Sequence, residues 1–241
     1  MEDLLFEIEK EVTTNEADFN LDMKLSSIFL FFQEASSLHS EVLGVGKSET
    51  LDKNLHWVIS RFDVDIIRLP KYNERVKVKT YPGANNGLFF FRHYLITDMK
   101  DNVLVRGVSN WVVIDATTNQ LKRNPFGNYS LPIYKMDDEL PNPIKINGEA
   151  NSFIYKRKIR YSDIDLNGHL NNTRYIELIQ DSFDQNFYKS HKLTKFSINY
   201  NHELKAGDEV SIYLSDSNPY IVSGKTESKD HFKAELTFTN R

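Results

Sequence analysis

The chain of 241 residues contains no cysteine. Disulfides, zinc–thiolate sites and a cysteine nucleophile are therefore excluded. A long apolar run is also lacking: the densest cluster, IFLFF, is far too short to cross a bilayer. The start, MEDLLFEIEKEV, is acidic and has neither the basic head nor the apolar core of a signal peptide. The expectation is a cytoplasmic protein without a membrane span. There is no basic excess either. A net charge of -4 offers no general attraction to nucleic acid or anionic lipid. Basic residues cluster only locally, as KRKIR at 156–160 and KRN at 122–124.

Two motif fragments lack an essential part. GVGKS at 44–48 ends like a phosphate-binding loop, but Glu41 stands at the first glycine and a helix precedes it. GVSNW at 107–111 lacks the second glycine of a nucleophile elbow and lies within an apparent strand.

What is present is a repeat. From Asp22 to about Leu43, Leu25, Ile28, Phe29, Phe32 and Leu43 recur at helical spacing. Four strand-like runs follow, LHWVISRFDVDII, ERVKVKTY, LFFFRHYLITD and LVRGVSNWVVID, which are expected to form a meander. The second half repeats the order: a strand through Ile159, a loop, one helix NNTRYIELIQDSFDQNFYK, then four more strands. Residues 1–128 and 150–241 are expected to be domains, and the proline-bearing 129–149 a linker. This is an α+β chain. A long helix wrapped by a twisted antiparallel sheet, made twice, is the hotdog arrangement, and two hotdogs are expected to pair as an intramolecular pseudo-dimer.

The loop SDIDLNGHLNN at 162–172 resembles a calcium loop through Asp163, Asp165, Asn167 and Gly168. The twelfth position, where calcium takes a bidentate glutamate, is Arg174, and a strand precedes the loop. No metal or other cofactor is expected. Superposing the two halves sets Asp18 on Asp165, Asn20 on Asn167, Asp22 on His169 and Leu69 on Glu203. The first half thus keeps the frame without the histidine or the glutamate. Taken singly, each residue has a plainer reading. Asp165 and Asn167 suit a helix-entry turn, His169 a polar surface position, and Glu203 the exposed end of a strand.

The combination resembles the acyl-ACP thioesterases of plants and bacteria. The resemblance rests on Asp165, Asn167, His169, Asn171 and Asn172 followed by RYIELI, on NYNHELKAGDEV, on LHWVISRFDVDIIRLPKYNE and on SNWVVIDATTNQLKRNP. It implies hydrolysis of a fatty acyl thioester carried on acyl carrier protein, with Asp165, Asn167, His169 and Glu203 as the catalytic set in the second half and acyl-chain binding in the first. Leu204 stands where many plant relatives have a cysteine, so a cysteine acyl-enzyme is impossible; Gly168 stands where they often have glutamine. The loop before a helix is expected to present unpaired N–H groups to a developing oxyanion. Ile28, Phe29, Phe32 and Trp57 are candidates to line the acyl channel, with core packing as the plainer reading of each. Lys156, Arg157, Lys158 and Arg160 are first candidates to meet the acidic carrier. An acyl-CoA thioesterase and a non-catalytic acyl-binding hotdog are the alternatives, and further association into a homodimer is left open.

Overall fold

The structure is a computed structural model that describes residues 4–127, 131–137 and 139–241. It divides into two compact units. One comprises Met1–Met23 with Ile28–Pro143, the other Lys24–Ser27 with Ile144–Arg241. The expected boundary at 128–129 falls outside the described residues.

In the first unit, β1 (Phe6–Glu11), α1 (Leu25–Val42), α2 (Lys47–Asp52), β2 (Leu55–Ile66), β3 (Arg75–Asn85), β4 (Phe90–Asp98) and β5 (Val103–Asp115) follow in order. α1 contains neither glycine nor proline and buries Ile28, Phe29, Phe32, Ala35 and His39 along one face, the three-to-four spacing of a helix on a sheet. It ends at Gly44, whose φ of 68° supplies the left-handed turn while the Val45 amide reaches back to the Ser40 carbonyl. The strands run β1-β3-β4-β5-β2, all antiparallel to their neighbours. The expected four-strand meander therefore holds only for β3-β4-β5, because β2 crosses to the far edge of β5. β1 was missed as a strand: FEIEKE alternates a half-buried face with charges, as an edge strand does.

The second unit has β6 (Ser152–Lys158), a 3-10 turn at Tyr161–Asp163, α3 (Asn172–Gln180), α4 (Gln185–Ser190), β7 (His191–Tyr200), β8 (Glu209–Leu214), β9 (Tyr220–Lys225) and β10 (Asp230–Asn240). Its strand order, β6-β8-β9-β10-β7, is the first unit's order element for element. The single helix expected over 171–189 is two. Asp184 accepts the Phe187 amide at 2.7 Å and starts α4 as its N-cap, so the chain breaks after Gln180.

The expected linker is packed against its neighbours. Tyr134 donates its amide to the Pro82 carbonyl and sets its ring edge-on to Tyr81, and the Pro143 carbonyl meets Arg61. In the second unit Asn199 accepts the Ile146 amide, and Ile146 buries itself with Ala150 and Ile221.

Candidate active site

The loop before α3 is tied down by its own aspartates. Asp163 is buried, accepts the Arg160 amide at 2.9 Å and pairs with Arg157 at 2.7 Å. Asp165 folds back: its Oδ1 accepts the amides of Asn167 at 2.8 Å and His169 at 3.3 Å, while its own amide reaches the His169 carbonyl. Such an Asx turn forces the residue before His169 into positive φ, and Gly168 takes it at 80°. Asn171 then caps α3 by accepting from Thr173 N.

Glu203 arrives from the turn after β7. The amides of Asn201 and His202 go to the His231 carbonyl on one side, and the Leu204 amide goes to the Tyr175 hydroxyl at 3.0 Å on the other. The Leu204 carbonyl accepts the Leu170 amide at 2.7 Å, which fastens the acidic turn to the histidine loop. The outcome is His169 Nε2 at 3.7 Å from Glu203 Oε1, both side chains partly open to solvent. That separation is longer than a hydrogen bond, the looseness usual before substrate closes a site. Lys205 Nζ stands 3.8 Å from the same carboxylate oxygen. Asn167 Nδ2 lies 3.5 Å from Asp165 Oδ2, which keeps its amide beside the loop.

The expectation of unpaired loop amides is met only in part: those of Asn167 to Asn171, Thr173 and Arg174 have acceptors within the loop, its cap or Leu204, and those of Leu166 and Asn172 do not. The same hydrogen bonds that make the loop rigid consume most of its donors and leave the Asn172 amide at the start of α3. The Asn167 carboxamide lies on the turn between Asp165 and His169.

The first unit rebuilds the turn of this frame. Asp18 Oδ1 accepts the amides of Asn20 and Asp22, Leu21 sits at φ 61° where Gly168 sits, and Met23 donates to the Pro70 carbonyl as Leu170 does to Leu204. At the histidine position, Asp22 is buried and paired with Lys71. The copy has an ion pair where the second unit has His169.

Other candidates scatter. Ile28, Phe29 and Phe32 lie in the helix–sheet core, where Phe29 and Phe32 pack on Phe62 and Phe32 on Tyr94. Trp57 belongs to a separate cluster with Phe90 and Phe126 and donates to the Val45 carbonyl. A cavity of about 150 Å³ in this unit is lined instead by Tyr81, His93, Arg106 and Glu139, among others. Burial holds His93 below its ordinary pKa, against the pull of Glu139. Of the basic run, Arg157 is committed to Asp163, while Lys156, Lys158 and Arg160 are exposed. In GVGKS, Glu41 itself accepts the Lys47 and Ser48 amides, so the carboxylate occupies the anion position. The hydrogen bonds that Tyr175 and His231 make to the residues flanking Glu203 were missed, since nothing in their spacing marks them.

Comparisons with known proteins follow the same division. A family model for the acyl-ACP thioesterase N-terminal domain matches residues 3–125, and one for the acyl-ACP thioesterase C-terminal domain matches residues 147–241. The chain is 30% identical over 189 residues to a chloroplastic dodecanoyl-[acyl-carrier-protein] hydrolase of Cinnamomum camphora, covering 71% of this chain and 49% of that protein. It is 25% identical over 234 residues to a chloroplastic palmitoyl-acyl carrier protein thioesterase of Gossypium hirsutum, covering 89% and 56%. The chain thus spans about half the length of these curated relatives. An acyl-ACP thioesterase from Bacteroides thetaiotaomicron shares the double hotdog fold with a TM-score of 0.84 at 23% identity over 98% of both chains. The 12:0-ACP thioesterase from Umbellularia californica does so with 0.83 at 20% identity, again over 98% of both.

Proposed function

The chain belongs to the acyl-ACP thioesterase family, and on that premise we propose that it hydrolyses a fatty acyl thioester carried on acyl carrier protein, releasing free fatty acid and holo-carrier. The observation that carries this reading is the 3.7 Å approach of His169 to Glu203 in one unit, against the Asp22–Lys71 pair in the other.

In this mechanism Glu203 takes a proton from water as the water oxygen attacks the carbonyl carbon. His169 holds that water against Glu203, passes a proton to the departing thiolate and takes the water's proton back from Glu203. The carbon–sulfur bond breaks, the carboxylic acid forms, and the transferred proton ends on the carrier's thiol. The Asn167 carboxamide donates to the carbonyl oxygen as it gains charge. Asp165 touches none of the reacting atoms; it fixes the amides that aim Asn167 and His169. A thiolate is a good leaving group, so this set suffices for the reaction. The first unit shapes the acyl site without chemistry of its own.

Measuring kcat/KM on acyl-ACPs and acyl-CoAs of matched chain length tests the reading. Preference for acyl-ACP is expected. Equal or better rates on acyl-CoA would make this an acyl-CoA thioesterase, and tight binding of both without turnover would make it a binding protein.

A further inference from the structure

The two units solve one local problem in different ways. In the second, Leu204 is fully buried and its amide needs an acceptor, which the Tyr175 hydroxyl provides at 3.0 Å. In the first, the equivalent residue is Pro70, which has no N–H, and the residue equivalent to Tyr175 is Ile28. The fold therefore closes without the tyrosine wherever proline is used. The unit that retains tyrosine and an N–H is the one that carries His169 and Glu203.

The tyrosine is held firmly. Its ring stands edge-on to Tyr200 and to Phe232 at centroid distances of 5.3 and 5.6 Å. Burial, with the charges of Glu203 and Asp165 adding to it, pushes the phenol well above its ordinary value, so it stays a neutral acceptor. Leu204 is clamped on both sides of its peptide, by Tyr175 at the amide and by Leu170 at the carbonyl, and Leu170 directly follows His169. The peptide next to Glu203 is thus locked both to the helix that the histidine loop starts and to the loop itself.

We infer that Tyr175 is a positioning residue, whose hydroxyl sets Glu203 at working distance from His169 through the Leu204 amide. This rests on the reading of Glu203 as the base. Misplacing a catalytic group by about an ångström can cost up to ~100-fold in rate, and removing one hydrogen bond beside Glu203 gives a displacement of that kind.

The test is Tyr175→Phe, which keeps the ring and deletes one oxygen, assayed on the acyl-ACP that the wild type turns over fastest, at a temperature where melting curves show the variant folded. A fall in kcat of roughly 10-fold or more with KM within twofold is expected. The same substitution placed in Glu203→Gln should leave the residual rate unchanged, since the base it positions is already gone. Should Tyr175→Phe fail to fold, Tyr175→Phe with Leu204→Pro removes donor and acceptor together, as in the first unit, and the same fall in kcat is expected of it. A folded variant with wild-type kcat and only a lower Tm overturns the proposal, as does an equal loss in the Glu203→Gln background. Full turnover by Glu203→Gln alone would instead remove the base assignment on which it stands.

Discussion

Asp22 holds in the first unit the position that His169 holds in the second: each lies four residues after an aspartate whose Oδ1 accepts its amide. Identical backbone geometry with different side chains separates what the turn does for folding from what it does for chemistry. His169→Ala and Glu203→Ala, at partly exposed positions, are each expected to lower kcat by roughly 100-fold or more with little change in Tm. Asp22→Ala leaves Lys71 without its buried partner, so the expected loss is stability, with kcat nearly unchanged. Parallel melting curves and single-turnover rates decide it. A folded, inactive Asp22 variant would place the chemistry in the wrong half.

The two aspartates that organise the turns make a matched pair. Asp18→Ala and Asp165→Ala each delete an acceptor for two amides, and each should cost about 1–2 kcal/mol in denaturant titration. Only Asp165→Ala should also cost kcat, because Asn167 and His169 hang on those amides. Equal kinetic losses from both would mean that global loosening is the cause.

Charge reversal in β6 and just after it separates docking from folding. Lys156→Glu, Lys158→Glu and Arg160→Glu alter exposed cations and are expected to raise KM for acyl-ACP at low salt while sparing small thioesters. Arg157→Glu strands buried Asp163 and should destabilise by roughly 1.5–3 kcal/mol instead. An Arg157 variant of normal Tm and raised KM would return that residue to the docking surface.

Periodicity made the helices and most strands legible, because burial of one face imposes it. It could not show β2 beside β5, since which edge a strand joins is a non-local choice. Nor could it show the break at Asp184, where a capping side chain competes with helix continuation. His169 and Glu203 carry no spacing signal; the family pattern joined them. The engaged amides of the loop were hidden for a related reason, depending on how Asp165 folds back and on the register of Leu170 with Leu204.

Gly168 is needed for its backbone. A Cβ added there meets nothing within 4 Å, and Leu21 adopts the same region in the first unit. Gly168→Asn, a residue that tolerates positive φ, should cost less than about 1 kcal/mol and leave kcat within twofold. Gly168→Val should cost more, as a β-branched residue resists that region. Chemical denaturation of the three proteins gives the order, and an Asn variant as unstable as the Val variant would mean that space, not φ, is limiting.

Phe32 and Gly107 decide between core and channel for α1. A Cβ on Gly107 would lie 2.9 Å from the Phe32 ring and 3.0 Å from that of Phe62, closer than side chains pack, so Gly107→Ala should destabilise by roughly 1–3 kcal/mol. Phe32→Leu yields space at that point. The double variant is therefore expected to be more stable than the sum of its parts, by a coupling on the order of 1 kcal/mol. If Phe32 is purely core, all three variants lower Tm while the ratio of kcat/KM between short and long acyl-ACPs stays fixed. A changed ratio in Phe32→Leu, with Gly107→Ala unchanged, would instead make the Phe32 ring a wall of the acyl site, since only the first variant alters what a chain would touch.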